Sequence, residues 1–200
     1  MKQETEKQRD HELMRRVQNG DMVAFNKIAN KYKDRLMNVV YRMLSSHQEA
    51  EDIVQETFLR VYQHRDSFDF RHCFSTWIYT IALNLARNEL RKRKRFKFFD
   101  IFDMKGNEQE ISVEMSIPTN LPQALEKAIE GLPEKYKLAF ILRDVQELPY
   151  DEVAKVMNIP LGTVKSRVNR ARAILRDKLK PRVEESHALS KGTLLPVSLL

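Results

Sequence analysis

Along most of the chain, apolar side chains return every three or four residues. After Asp21, the residues Phe25, Ile28, Ala29, Tyr32, Leu36, Val39, Val40 and Met43 follow one another at that interval, the spacing that lines up side chains on one stripe of an α-helix. Alternation at two residues, the mark of a half-buried strand, is hard to find, and only 5 glycines punctuate 200 residues. The pattern therefore predicts a nearly all-helical protein. A first helix is expected over about 11–17, ended by Asn19-Gly20, and Asp21 can cap the second. Ser45-Ser46-His47 breaks the stripe. A third helix is expected over about 48–63 and a fourth over about 75–95, separated by a polar and aromatic loop, 65–74. Between 96 and 121 the periodicity fails among Gly106, acids, Ser, Thr and Pro118. That stretch reads as a linker, with a short ordered piece expected at 98–102. Helical spacing returns at about 123–130, 134–144, 150–157 and 160–180. The expected organisation is thus two helical domains, 1–95 and 122–182, joined by the linker 96–121 and followed by a tail, 183–200, of unassigned role.

Charge sharpens this division. The chain holds 35 Lys plus Arg against 28 Asp plus Glu, a net +7. By block the balance is +6 for 1–95 (19 basic, 13 acidic), −3 for 96–121 (2 and 5), +5 for 122–182 (13 and 8) and −1 for 183–200 (1 and 2). Two basic blocks flanking an acidic stretch suggest two modules that each meet a polyanion. A membrane surface also attracts positive charge, so the sign alone leaves both partners open. A single cysteine, Cys73, allows no intramolecular disulfide and fits a reducing compartment. The N-terminal MKQETEKQRDHELMRR has no apolar core of the kind a signal peptide needs, and no apolar run approaches a membrane span. A cytoplasmic protein is expected.

The second basic block carries the clearest chemistry. Asn158-Ile159-Pro160 interrupts two apolar-periodic segments, and a proline suits the first turn of a helix. A short helix, a tight turn and a longer helix is the helix-turn-helix layout. Turning by about 100° per residue puts Val164, Val168, Ala171, Leu175 and Leu179 on one side of the second helix. Thr163, Lys165, Ser166, Asn169 and Arg170 fall broadly opposite, with Arg167, Arg172 and Arg176 flanking them. Such side chains can read base edges in a major groove while the arginines reach phosphates. The plainer alternative is a solvated charged face, but these cations lack the acidic partners at i,i+4 that a neutral surface helix carries.

These residues carry a family resemblance. LPEKYKLAFILRDVQELPYDEVAKVMNIPLGTVKSRVNRARAILRDKL (132–179) closely resembles the promoter-reading C-terminal domain of extracytoplasmic-function sigma factors of bacterial RNA polymerase. EAEDIVQETFLRVYQHRDSF (49–68) and FSTWIYTIALNLARNELRKRKR (74–95) resemble that family's N-terminal domain. The resemblance implies that Lys165, Ser166, Asn169 and Arg170 read the minus-thirty-five promoter element, that Arg143 contacts phosphate, and that Thr163 and Arg167 assist.

In the fourth helix, Trp77, Ile78, Ile81, Ala82 and Leu85 form an apolar face, and Thr80, Asn84, Arg87, Asn88 and Arg91 a polar stripe. The resemblance assigns Asn84 and Asn88 to a pocket for an unstacked base of the minus-ten element. An asparagine amide offers both donor and acceptor to a base that has lost its partner. The run RKRKR (91–95), which starts on the stripe at Arg91 and continues with Lys92, would hold the backbone through charge, which makes affinity salt-dependent. The loop SFDFRHCFST (67–76) sits where the family presents a specificity loop. Phe68 and Phe74 are expected in the core, and Phe70 is the candidate for stacking on a base.

The third helix can bury Ala50, Val54, Thr57, Phe58 and Val61, leaving Asp52, Gln55, Glu56 and Leu59 outside. Acids mixed with one apolar anchor suit a partner helix better than DNA, and a solvated face is the alternative. By resemblance that partner is the coiled coil of the beta-prime subunit of core RNA polymerase. The resemblance also implies an anti-sigma factor, often membrane-bound in this family, as regulator, and a linker threaded toward the RNA exit path. No Gly-rich phosphate loop, ligand-spaced Cys/His cluster or nucleophile-base pair is found. No enzymatic activity, cofactor, metal or small-molecule substrate is therefore expected. Two rivals stay open on sequence: a helix-turn-helix regulator with no polymerase role, and a sigma-like decoy that only sequesters an anti-sigma partner.

Overall fold

The structure is a computed structural model that describes residues 2–103 and 121–191, with side-chain surroundings for 5–93 and 123–180. Eight α-helices and no strand are found among these residues. Helix α1 (Lys2–Gln18) extends well before the expected start at 11. It is pinned by Asp10, a buried carboxylate that accepts from Lys31 Nζ and Tyr32 Oη, both at 2.6 Å. Gly20, at φ +83, makes the turn that an L side chain disfavours. Asp21 then caps α2 (Met22–Leu44), its Oδ1 accepting from the N–H groups of Val23 and Ala24 at 2.9 and 3.0 Å. Arg16 holds the other carboxylate oxygen at 2.7 Å.

The expected stripe of α2 is buried at Ile28, Tyr32, Leu36, Val39 and Val40. Ser45, in the left-handed region, ends α2, and Ser46 caps α3 (His47–Gln63). A single 3₁₀ turn, Arg65–Ser67, leads through the aromatic loop to α4 (Phe74–Asp103). This helix runs eight residues past the expected end at 95, because no Gly or Pro stops it before Gly106. Part of the expected linker is therefore helical. The remainder, 104–120, lies outside the described residues.

The second half comprises α5 (Leu121–Glu130), α6 (Glu134–Phe140), α7 (Tyr150–Met157) and α8 (Leu161–Lys191). The helix expected over 134–144 instead widens into a π turn at Ile141–Val145, where Gln146 N–H bonds the Ile141 carbonyl. The backbone of α8 passes Pro181 and reaches Lys191, so the first part of the expected tail is helical. Residues 192–200 lie outside the described residues.

The halves touch. Helix α4 packs against α7, and buried side chains from both halves form one continuous hydrophobic cluster. That is why Tyr79 and Leu83, which lie outside the apolar face read from sequence, are buried: α4 is covered on two sides.

Candidate nucleic-acid interface

The helix-turn-helix is built by backbone bonds that its sequence favours. Asn158 takes the left-handed conformation (φ 56, ψ 51) that asparagine tolerates better than most residues. Its N–H bonds the Lys155 carbonyl at 3.2 Å, and that of Ile159 bonds Ala154 at 3.1 Å, the Schellman closure of a helix end. The chain can then start α8 after Pro160. Val164, Val168, Ala171 and Leu175 face inward and are buried, and Leu179 is half-buried. Burying each Val or Leu here contributes about 1.5–3 kcal/mol, which fixes the rotation of α8 about its axis.

With the helix so oriented, Lys165, Ser166, Asn169 and Arg170 are exposed, while Thr163 and Arg167 are half-buried. The Ser166 hydroxyl donates to the Thr163 carbonyl at 2.9 Å, so toward an outside group it can only accept. Arg143 is engaged within the fold. Its guanidinium lies over the Tyr150 ring at 4.8 Å, one Nη donates to the Leu148 carbonyl at 3.4 Å, and Nε is buried with no bonded partner. Arg172 is also tied, with two bonds of 2.9 and 2.5 Å to Asp144 that raise its pKa.

In the first half, Asn84, Asn88, Arg91 and Lys92 are exposed on α4, and Arg87 is half-buried. Arginines three residues ahead reach back to the two amides: Arg87 to Asn84 Oδ1 and Arg91 to Asn88 Oδ1, each at 3.3 Å. Burial, and then the neighbouring Arg91 charge, lowers the pKa of Arg87. Of the RKRKR run, Arg93 is turned inward, bonded to the Leu44 carbonyl at 2.8 Å and ion-paired with Glu49.

The loop before α4 is fastened to α1. His11 Nε2 donates to the His72 carbonyl at 2.9 Å, and Gln18 Nε2 donates to the Arg65 carbonyl at 2.9 Å. Phe68 and Phe74 are buried as expected. Phe70 is half-buried, with Phe68 and His11 edge-on at 5.0 and 5.4 Å and the Arg15 guanidinium over its ring at 5.0 Å. The role of His11 and Arg15 has no sequence signal, since it depends on a loop more than fifty residues away. Asp69 shapes the loop by accepting from Arg71 N–H and from its guanidinium, which holds the carboxyl at about 2.

On α3, Asp52, Gln55 and Leu59 are exposed, and the half-buried Glu56 pairs with Arg60 at 2.7 Å. Leu59, at 50% exposure, is the apolar member of that stripe. Among the described residues, no group of three or more His, Cys, Asp or Glu side chains is arranged to hold a metal ion. No helix among them is long and apolar enough to cross a membrane.

Comparison with known proteins covers both halves. The family described as sigma-70 region 2 matches residues 28–96, and that described as sigma-70, region 4 matches residues 122–175. The chain is 38% identical over 178 residues to the ECF RNA polymerase sigma factor SigW of Bacillus subtilis (strain 168), spanning 84% of this chain and 95% of that one. It is 36% identical over 182 residues to the ECF RNA polymerase sigma-E factor of Salmonella typhimurium (strain 14028s / SGSC 2262), spanning 86% and 95%. The sigma factor RpoE of Bartonella quintana, solved in complex with the anti-sigma factor NepR, is similar at a TM-score of 0.63 and 28% identity, over 78% of this chain and 96% of that one.

Proposed function

Because the chain belongs to the extracytoplasmic-function sigma factors of bacterial RNA polymerase, we propose that its two halves divide promoter recognition between them. Lys165, Ser166, Asn169 and Arg170 read the minus-thirty-five element from the major groove, assisted by Thr163 and Arg167. Arg143 braces the helix pair and meets phosphate at its edge. Asn84 and Asn88 receive an unstacked base of the minus-ten element, Arg87, Arg91 and Lys92 hold the adjoining backbone, and Phe70 stacks beside it. Asp52, Gln55, Glu56 and Leu59 dock on the coiled coil of the beta-prime subunit. The protein catalyses no reaction of its own, acts in the cytoplasm where polymerase works, and is restrained by an anti-sigma factor, as the solved relative supports.

One observation carries this reading. Asn84, Asn88 and Arg170 all stand exposed on helices whose opposite faces are buried, so three side chains suited to bases are presented outward, the two amides held only by long 3.3 Å bonds from Arg87 and Arg91. Purified protein, core polymerase and a promoter library test the reading together. Specific start sites are expected only when protein and polymerase are both present. Repression, or binding of an anti-sigma factor with no effect on transcription, would hand the case to the regulator or the decoy.

A further inference from the structure

Helix α1 carries three polar side chains in one row, and all three reach the same loop. His11, Arg15 and Gln18 follow at i, i+4 and i+7, the interval that stacks side chains along one helix face. Gln18 Nε2 donates to the Arg65 carbonyl at 2.9 Å, at the entry of the loop. The Arg15 guanidinium lies over the Phe70 ring at 5.0 Å, at its middle. His11 Nε2 donates to the His72 carbonyl at 2.9 Å, just before α4 begins. A carbonyl only accepts, so Nε2 carries the hydrogen. The adjacent row of α1 holds Asp10, Met14 and Val17, all buried, with Asp10 bonded to Lys31 and Tyr32 of α2. That burial fixes the rotation of α1 on α2, and with it the direction of the His11–Arg15–Gln18 row.

The hydrogen bonds that the loop makes with itself are local: Ser67 to the His64 carbonyl, Arg71 to Asp69, and the His72 N–H to the Asp69 carbonyl. Bonds of such short range shape a turn without setting its place relative to Asn84 and Asn88 on α4. Phe68 ties the loop to the core through Phe74 and Trp77. Phe70 is only half-buried, and it leans on Phe68 and on two α1 side chains, His11 and Arg15. Ordering a loop costs conformational entropy for each residue fixed, and a loop ordered beforehand binds without that cost.

We propose that α1 is the template of the minus-ten loop, with His11, Arg15 and Gln18 as positioning residues that set Phe70 for the unstacked base. His11 and Gln18 hold the two ends of the loop, and Arg15 holds the ring between them. Discrimination at that base thus depends on a side chain 61 residues upstream of the carbonyl it holds. This role rests on the reading of Phe70 given above, as the ring that stacks beside the base.

The full chain with core polymerase is assayed on a promoter and on single-base variants of each element, and discrimination is the ratio of parental to variant transcripts. His11→Leu removes the donor and keeps an apolar side chain in its place. Discrimination at the minus-ten base should fall about fivefold while that at the minus-thirty-five element holds. His11→Gln returns an amide donor and should recover discrimination to within about twofold of the parent. A residue that merely stabilised the fold would lower all transcripts together and leave both ratios alone. That result overturns the template, and so does failure of His11→Gln to recover the ratio. A second variant, Arg15→Gln, alters an exposed side chain. It should lower the same ratio about threefold at an unchanged slope of log affinity against log salt. A slope shifted by about 0.7–0.9 with discrimination intact makes Arg15 a phosphate contact and overturns its positioning role. Phe70→Ala keeps two failures apart. If it loses minus-ten discrimination while His11→Leu and Arg15→Gln keep it, the template fails and the reading of Phe70 stands. If Phe70→Ala has no effect, that reading fails, and the template loses its purpose with it.

Discussion

Arg170 and Arg143 both lie in the promoter-facing half, and their surroundings separate them. Arg170 is exposed on α8, so Arg170→Ala should cost about 1–3 kcal/mol of discrimination at one base of the minus-thirty-five element while polymerase binding holds. Competition binding with single-base promoter variants reads this directly, and an unaltered sequence preference removes Arg170 from the reading set. Arg143 is stacked on Tyr150 and bonded to Leu148; replacing it would lower stability and DNA affinity together. Asp69 supplies a pH dependence. Hydrogen bonds from the Arg71 side chain and then its backbone hold the carboxyl at about 2, below its ordinary 3.8. A depressed carboxyl contributes its stabilisation above the ordinary value and loses it as pH falls through the lowered one. The loop 68–74 should therefore keep its shape at pH 5 and loosen between about 4 and 2. A carboxyl titration by NMR should place Asp69 near 2; a midpoint at the ordinary value would mean that Arg71 does not anchor the loop.

At the level of the helix, ends and faces decide. Asn158 must adopt the left-handed conformation for α7 to turn into α8. Asn158→Val should cost about 1–2 kcal/mol in urea unfolding, and Asn158→Gly should be tolerated. Equal stability of the two variants would show that the turn is not strained. The charge run at the end of α4 makes a different prediction, because Arg91 and Lys92 are exposed while Arg93 is bonded inward. Lys92→Ala should weaken polymerase-dependent promoter binding equally across sequences and shift the slope of log affinity against log salt by about 0.7–0.9, the loss of one phosphate contact. Arg93→Ala should leave that slope alone and lower the melting temperature instead, since it unpairs Glu49 and the Leu44 carbonyl.

For the whole molecule, the seam between the halves governs Cys73. Burial first, and the Glu152 carboxylate second, push its thiol up to about 12 from an ordinary 9.0. Alkylation of Cys73 at pH 8 should be slow in the folded protein and faster in Glu152→Gln, a change mass spectrometry can follow. An identical rate in both proteins would mean that Glu152 does not help to hold the thiol protonated. The helical class, both basic blocks and the inward faces of α2 and α8 were legible in the sequence, because periodicity depends on neighbours three and four residues away. Those same intervals turned Lys165, Ser166, Asn169, Arg170, Asn84 and Asn88 outward. What periodicity cannot reach is a partner far along the chain: Asp144 for Arg172 across 28 residues, Leu44 for Arg93 across 49, and Glu152 for Ser75 across 77. Which cations remain free for DNA, and which face of α4 its second neighbour covers, were settled only when the helices packed. A side chain's direction follows from local geometry, but its hydrogen-bond partner is fixed by whatever the fold brings alongside it.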